Sequence, residues 1–205
     1  MANRLDMICK DLLTQLEEKD ETREGIIRES RHLLRLSGQV ITDLIRGDRG
    51  RNHLSEARKV WADMRSRVSM HPDLMYSGLL DSALEEYAEA EILFSLVTGS
   101  EIPTNKVLNI PPQVYLGGMA DCIGELRRLV LSELDKSNLK KASGYFEMMC
   151  GIYDHLMMFD IPSSLYPLRR KQDIARSIIE RTQGDLTLGK IMLPKRKNRQ
   201  NNKKS

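Results

Sequence analysis

Apolar residues recur every three to four positions along almost the whole chain, and nowhere do they alternate with polar ones in a sustained way. The first spacing gathers apolar groups on one face of a helix; the second is what a half-buried strand needs. The chain is therefore confined to an all-α fold. Leu5, Ile8, Cys9, Leu12, Leu13 and Leu16 predict a first helix over about residues 3–16, closed by the polar run Glu17-Glu18-Lys19-Asp20. Ile26, Leu33, Val40 and Leu44 predict a second over about 22–46, stopped by the turn Gly47-Asp48-Arg49-Gly50. A third helix is expected over 55–68, with Ser55 as N-cap, and a fourth over 74–97, ended by Thr98-Gly99. Residues 100–110 read as a connector. Pro111-Pro112 suits the first turn of a fifth helix reaching about residue 134. The last two are expected over 139–159 and 168–182. The reading is one domain of about seven helices over residues 1–190, followed by a basic, disordered tail over 191–205.

The tail matters for charge. Residues 194–205 hold six Lys or Arg and no acid, against a net charge of +3 for the whole chain, so the remaining residues carry −3. The body lacks the overall basic footprint of many nucleic-acid binders. The tail reads either as solvated charge or as a weak, salt-sensitive phosphate contact. Cys9, Cys122 and Cys150 lie far apart with no CxxC pair, which argues against zinc and disulfide frameworks and for a reducing, cytoplasmic setting. No apolar run approaches the ~18 residues of a spanning helix, so no membrane association is expected. The N-terminal residues mix charge with apolar groups and do not read as a signal peptide.

Two acidic blocks stand out. In the fourth predicted helix, Glu85-Glu86-Tyr87-Ala88-Glu89-Ala90-Glu91 places four acids in seven residues. Glu86 and Glu89, three apart, share a face beside an apolar stripe, with Glu85 to one side. In the fifth, Asp121 and Glu125 share a face four apart, with Arg128 three residues on. Set side by side, these helices bring three or four carboxylates together. Such oxygen donors suit Mg2+ or Mn2+, the ions that support phosphodiester hydrolysis. No Glu-x-x-His pair of the di-iron kind is present. Spacing alone leaves the metal site open beside the commoner reading of a solvated, salt-bridged face. Gly117, Gly118 and Gly124 each cost a helix about 1 kcal/mol relative to Ala. Close approach of another helix or of a substrate backbone would justify them.

The stretch Glu86-Tyr87-Ala88-Glu89-Ala90 resembles the E-[FY]-x-E-A motif of the Trax subunit of the translin/Trax family. The block from Tyr115-Leu116-Gly117 through Ala120-Asp121 to Gly124-Glu125-Leu126-Arg127-Arg128 resembles that family's YL-x-G-x-AD-x-x-GEL-x-R segment. Arg23-Glu24, Ser30-Arg31, Ile152-Tyr153-Asp154 and Leu165-Tyr166-Pro167-Leu168 are weaker matches. Together they extend the similarity over about residues 20–188. The resemblance implies a translin-like helical bundle that assembles into a hollow oligomer with the active sites facing inward. The assembly would be an archaeal-type homo-oligomer, an octamer, or a hetero-oligomer with a translin-like subunit. It implies a Mg2+- or Mn2+-dependent endoribonuclease acting on single-stranded or small duplex RNA. Glu86, Glu89 and Asp121 would bind metal, and Glu125 would be an auxiliary catalytic acid. Arg128 would contact phosphate or pair with Glu125. The alternative is a shell that binds RNA or single-stranded DNA without cutting it.

Translin carries a basic cluster before the helix equivalent to the fourth one here. In this chain that region reads His71-Pro72-Asp73-Leu74-Met75-Tyr76-Ser77, so nucleic-acid contacts must come from elsewhere. Arg169, Arg170 and Lys171, at a helix start where the dipole disfavours cations, are the candidates. The four His share no ligand spacing, Trp61 reads as a helix anchor, and the eleven Met read as fillers of core and inter-subunit gaps.

Overall fold

The computed structural model describes residues 2–192, which form eight helices and no strand. In order they are α1 (Ala2–Arg46), α2 (Arg51–Val68), α3 (Pro72–Met75), α4 (Asp81–Thr98), α5 (Asn105–Leu108), α6 (Pro112–Asp135), α7 (Leu139–Leu156) and α8 (Leu168–Met192). The all-α expectation holds. The tail expected from residue 191 lies outside the described residues except for its first two, which finish α8.

The departures have local causes. The first two predicted helices are one, because Glu17, Glu18, Lys19 and Asp20 interrupt the apolar stripe without breaking the backbone. None of the four is a helix breaker, and Lys19 is tied to Asp73 across a 2.5 Å ion pair. α2 starts at Arg51, where Gly50 in the left-handed region (φ 60°) turns the chain, and not at Ser55. Gly78 (φ 79°) separates the single turn of α3 from α4, so the fourth predicted helix begins seven residues late. A further turn, α5, sits in the connector, capped by Thr104 and closed by Asn109 in the left-handed region. α8 runs ten residues past its expected end, because Leu186 is buried and Gly189 packs against Leu134 and Leu139.

α6 is the hub, packing against α4, α7 and α8; α4 also packs on α1, and α1 on α2. One core joins α1, α4, α6, α7 and α8 around Val40, Leu93, Ile123, Leu126 and Met149. A second joins α1, α2 and α4 around Ile26, Leu33, Met64, Leu84 and Trp61. Trp61 anchors α2 as expected, donating from Nε1 to the Leu108 carbonyl at 2.8 Å. Only the C-terminal part of α1 takes part. At ~1.5 Å per residue the helix is about 67 Å long, and its start extends past the bundle with Leu5, Ile8, Leu12 and Leu16 all exposed. Among the described residues no helix is long and apolar enough to cross a membrane.

Candidate functional site

Where α4 crosses α6, the helices come unusually close. A side chain at Gly117 would run into the Tyr166 hydroxyl and the Glu85 carboxylate. A Cβ at Gly118 would lie 2.5 Å from the Glu85 carbonyl oxygen and 2.8 Å from Ala88 Cβ. These two glycines let the helix backbones meet, so that the acids of α4 and α6 face one cleft. Gly124, with nothing within 4 Å of such a Cβ, lies on the cleft wall itself.

The cleft, of about 310 Å³, is lined by Glu86 and Glu89 from α4, Asp121 and Glu125 from α6, and Lys171, Ile174 and Ile178 from α8. All four acids expected from the sequence are therefore together. Glu89 is 6% exposed, and its carboxyl is pushed up to about 9 by burial first, then by Glu86, Asp121 and Glu125, with Lys171 opposing. Burial, Glu125 and Asp121 raise Glu86. Among the described residues neither carboxylate receives a hydrogen bond. Glu86 reaches towards α1, its Oε1 standing 3.4 Å from where a Cβ on Gly38 would be. Glu125 is held by Arg128, Nη1 to Oε2 at 2.7 Å, one of the two roles expected of that arginine.

The other side of the cleft was not anticipated. Lys171 Nζ donates to Asp121 Oδ2 at 2.6 Å and to Glu85 Oε2 at 3.1 Å. Tyr166 donates from its hydroxyl to Glu85 Oε1 at 2.6 Å. Burial works against the Lys171 charge, yet the bond to Asp121 holds its pKa above the ordinary lysine value. Asp121 is raised by burial, against the pull of Lys171. Glu85, expected to lie aside, is thus part of the cluster's edge. Lys171, expected to be a free phosphate contact, is engaged inside the cluster. No sequence spacing links residues 50 to 86 positions apart; the only trace was the Leu-Tyr-Pro-Leu block just ahead of α8.

Arg169 and Arg170 remain on the surface, lining a shallow trough on α8 with Asp173, Ile174, Ser177 and Arg181. Ile174 belongs to both the trough and the cleft. Glu91, the fourth acid of its run, has a separate role. It is 1% exposed and is gripped by Arg58 at 2.6 and 2.7 Å and by the Tyr87 hydroxyl at 2.9 Å. Cys122, beside Asp121, is fully buried, and that burial pushes its thiol up and away from the reactive thiolate form.

The donor set fits a hard divalent cation. It is made of carboxylates that repel one another, and two of them, Glu86 and Glu89, receive no hydrogen bond among the described residues. Among the described residues, however, no three His, Cys, Asp or Glu side chains stand gathered as a ligand set. Asp121 is turned to Lys171 through Oδ2 instead.

No family model matches the sequence. An uncharacterized protein of Methanocaldococcus jannaschii is 34% identical over 176 residues, spanning 85% of this chain and 79% of the relative. Among solved structures, a complex of AfC3PO with duplex RNA is similar with a TM-score of 0.81 at 29% identity, covering 89% of this chain and 96% of that one. The chain has the helical fold of the translin/C3PO family, and its likeness to AfC3PO supports a place in it. A further AfC3PO crystal structure agrees equally, with a TM-score of 0.81 at 29% identity over 89% of this chain and 97% of that one. Apo-NeC3PO, at 24% identity and a TM-score of 0.80 over 88% of this chain and 96% of that one, shares the translin/C3PO fold.

Proposed function

We propose that this protein is a Trax-like, divalent-metal-dependent endoribonuclease acting on single-stranded or small duplex RNA. The observation behind this reading is that Glu86, Glu89, Asp121 and Glu125 line one cleft, with Glu86 and Glu89 receiving no hydrogen bond among the described residues. Glu86, Glu89 and Asp121 would hold Mg2+ or Mn2+, which when bound polarises a phosphoryl oxygen and lowers the pKa of water. Glu125, fixed by Arg128 through Oε2, keeps Oε1 to accept the proton of the attacking water. Ile174 and Ile178 give that wall of the cleft an apolar surface. Arg169 and Arg170 draw the RNA backbone along α8 towards acids that would otherwise repel it. The AfC3PO complex with duplex RNA supports RNA as the ligand class. The apolar stripe Leu5, Ile8, Leu12 and Leu16 on the projecting start of α1 supports assembly into a homo-oligomer, an octamer in the family pattern, or with a translin-like subunit.

One observation favours a second reading, a shell that binds RNA without cutting it: the three ligands do not stand gathered. Labelled single-stranded and short duplex RNA, incubated with Mg2+ or with chelator, separates the two. The nuclease reading expects metal-dependent cleavage that Glu89→Ala and Asp121→Asn reduce by at least about 10²-fold while RNA binding persists. Binding with no cleavage by the wild-type protein would establish the shell.

A further inference from the structure

The carboxylates of the cleft divide by partner. Glu125 has Arg128. Asp121 and Glu85 share the Lys171 ammonium, and Tyr166 fixes Glu85 from its other oxygen. Lys171 is not a casual surface lysine: its side chain is 22% exposed, and both its contacts are short. Among the described residues, Glu86 and Glu89 line the cleft without a hydrogen bond or ion pair, and when ionised together they match the charge of one divalent ion. Two-metal phosphodiesterase sites place their ions about 3.5–4 Å apart to clamp both the attacking and the leaving oxygen. Here the place between Asp121 and Glu85, where a second ion would need its oxygens, is filled by an amine.

We infer that Lys171 is a positioning residue that stands in for a second metal ion, so that each chain takes one divalent cation and not two. This rests on the metal-site reading above. Lys171 occupies Asp121 Oδ2, so Asp121 would be shared between an ammonium and the metal. The lysine's fixed charge sits beside the cleft, so the second positive charge does not depend on metal concentration.

The test is a Mn2+ titration of the full-length, assembled protein, with the electron paramagnetic resonance signal of free aqueous Mn2+ as the readout. Wild type and Lys171→Arg are expected to bind one ion per chain. Lys171→Met, which empties the place between Asp121 and Glu85, is expected to bind a second, and Glu85→Gln in that background to lose it again. Two ions per chain in wild type would overturn the inference while leaving the metal site intact, and this count decides even if Lys171→Met fails to fold. A Lys171→Met protein with the wild-type count would overturn it as well. Mn2+ bound only after Lys171 is replaced would make the lysine a blocking group, which also overturns it. No Mn2+ bound by any of the proteins would remove the metal-site reading and the inference together.

Discussion

Gly118 of α6 stands directly against the backbone of α4 at Glu85, so close that a Cβ would lie 2.5 Å from the Glu85 carbonyl oxygen. A backbone atom cannot swing aside as a side-chain end can, so Gly118→Ala must part the two helices. The expected loss of stability is about 1–3 kcal/mol, typical of overpacking, read as a lower urea midpoint. RNA cleavage should fall further than stability alone explains, because the same contact sets the spacing of Glu89 and Asp121. Gly124→Ala is the control: nothing lies within 4 Å of its Cβ. It should stabilise the helix by up to about 1 kcal/mol. A stabilised Gly118→Ala protein would show that the helices are not held at contact.

Arg58 and Glu91 form the best-defined ion pair of the bundle, with two bonds of 2.6 and 2.7 Å onto a carboxylate that is 1% exposed. Removing one partner of a buried pair leaves a charge with no solvent to return to, at a cost of about 3–5 kcal/mol. The outer part of Arg58 is solvated, its side chain being 55% exposed, which puts Arg58→Ala nearer ~2–3 kcal/mol. Replacing both, as Arg58→Met with Glu91→Leu, should recover most of that loss in thermal unfolding. A double variant as unstable as Arg58→Ala would mean that the damage is lost packing and not an orphaned charge.

The helices and the two acid pairs were legible from short-range pattern, while the expectation that the pairs share one site came from the family resemblance. A period near 3.6 marks a buried face, and residues three or four apart must share it, as Glu86 with Glu89 and Asp121 with Glu125 do. Helix ends were less legible. The run Glu17-Glu18-Lys19-Asp20 read as a break and the last helix was expected to end at about residue 182, but neither place carries a backbone constraint strong enough to override the packing of α1 and α8. The pairing of Lys171 with Asp121, and of Tyr166 with Glu85, was invisible. It arises from three helices meeting, and nothing local distinguishes a lysine that will face acids from one that will face water. The same blindness left Glu91 as one more acid of a crowded run, when Arg58, 33 residues away, holds it.

Arg169 and Arg170 are exposed on the α8 trough, which shares Ile174 with the cleft. If they contact phosphates, Ala at both positions should weaken RNA binding about equally for all sequences. It should also lower the slope of log affinity against log salt by about 0.7 per lost contact on single strands. A filter-binding series at several salt concentrations reads both. Unchanged affinity and slope in the double variant would move the RNA path off α8. Lys171 is held by two carboxylates and should add little to this slope.

Glu89 gives the metal-free protein a pH dependence of definite sign. Its carboxyl is pushed from 4.5 up to about 9 in the folded state, chiefly by burial and then by Glu86. Between those values the folded chain retains a proton that the unfolded chain has released. Stability is therefore fully present below the unfolded value and declines as pH rises through the window to about 9. The slope from one such group is at most about 1.4 kcal/mol per pH unit. Glu86, raised in the same direction, adds to it at the lower end. Urea midpoints measured in chelator at pH 5, 7 and 9 should fall steadily for wild type and flatten in Glu89→Gln, which is neutral throughout. Divalent metal binds the deprotonated carboxylates, so saturating Mn2+ should raise the midpoints most at high pH and flatten the wild-type curve too. A wild-type curve already flat in chelator would mean that solvent in the cleft relieves the repulsion among the four acids.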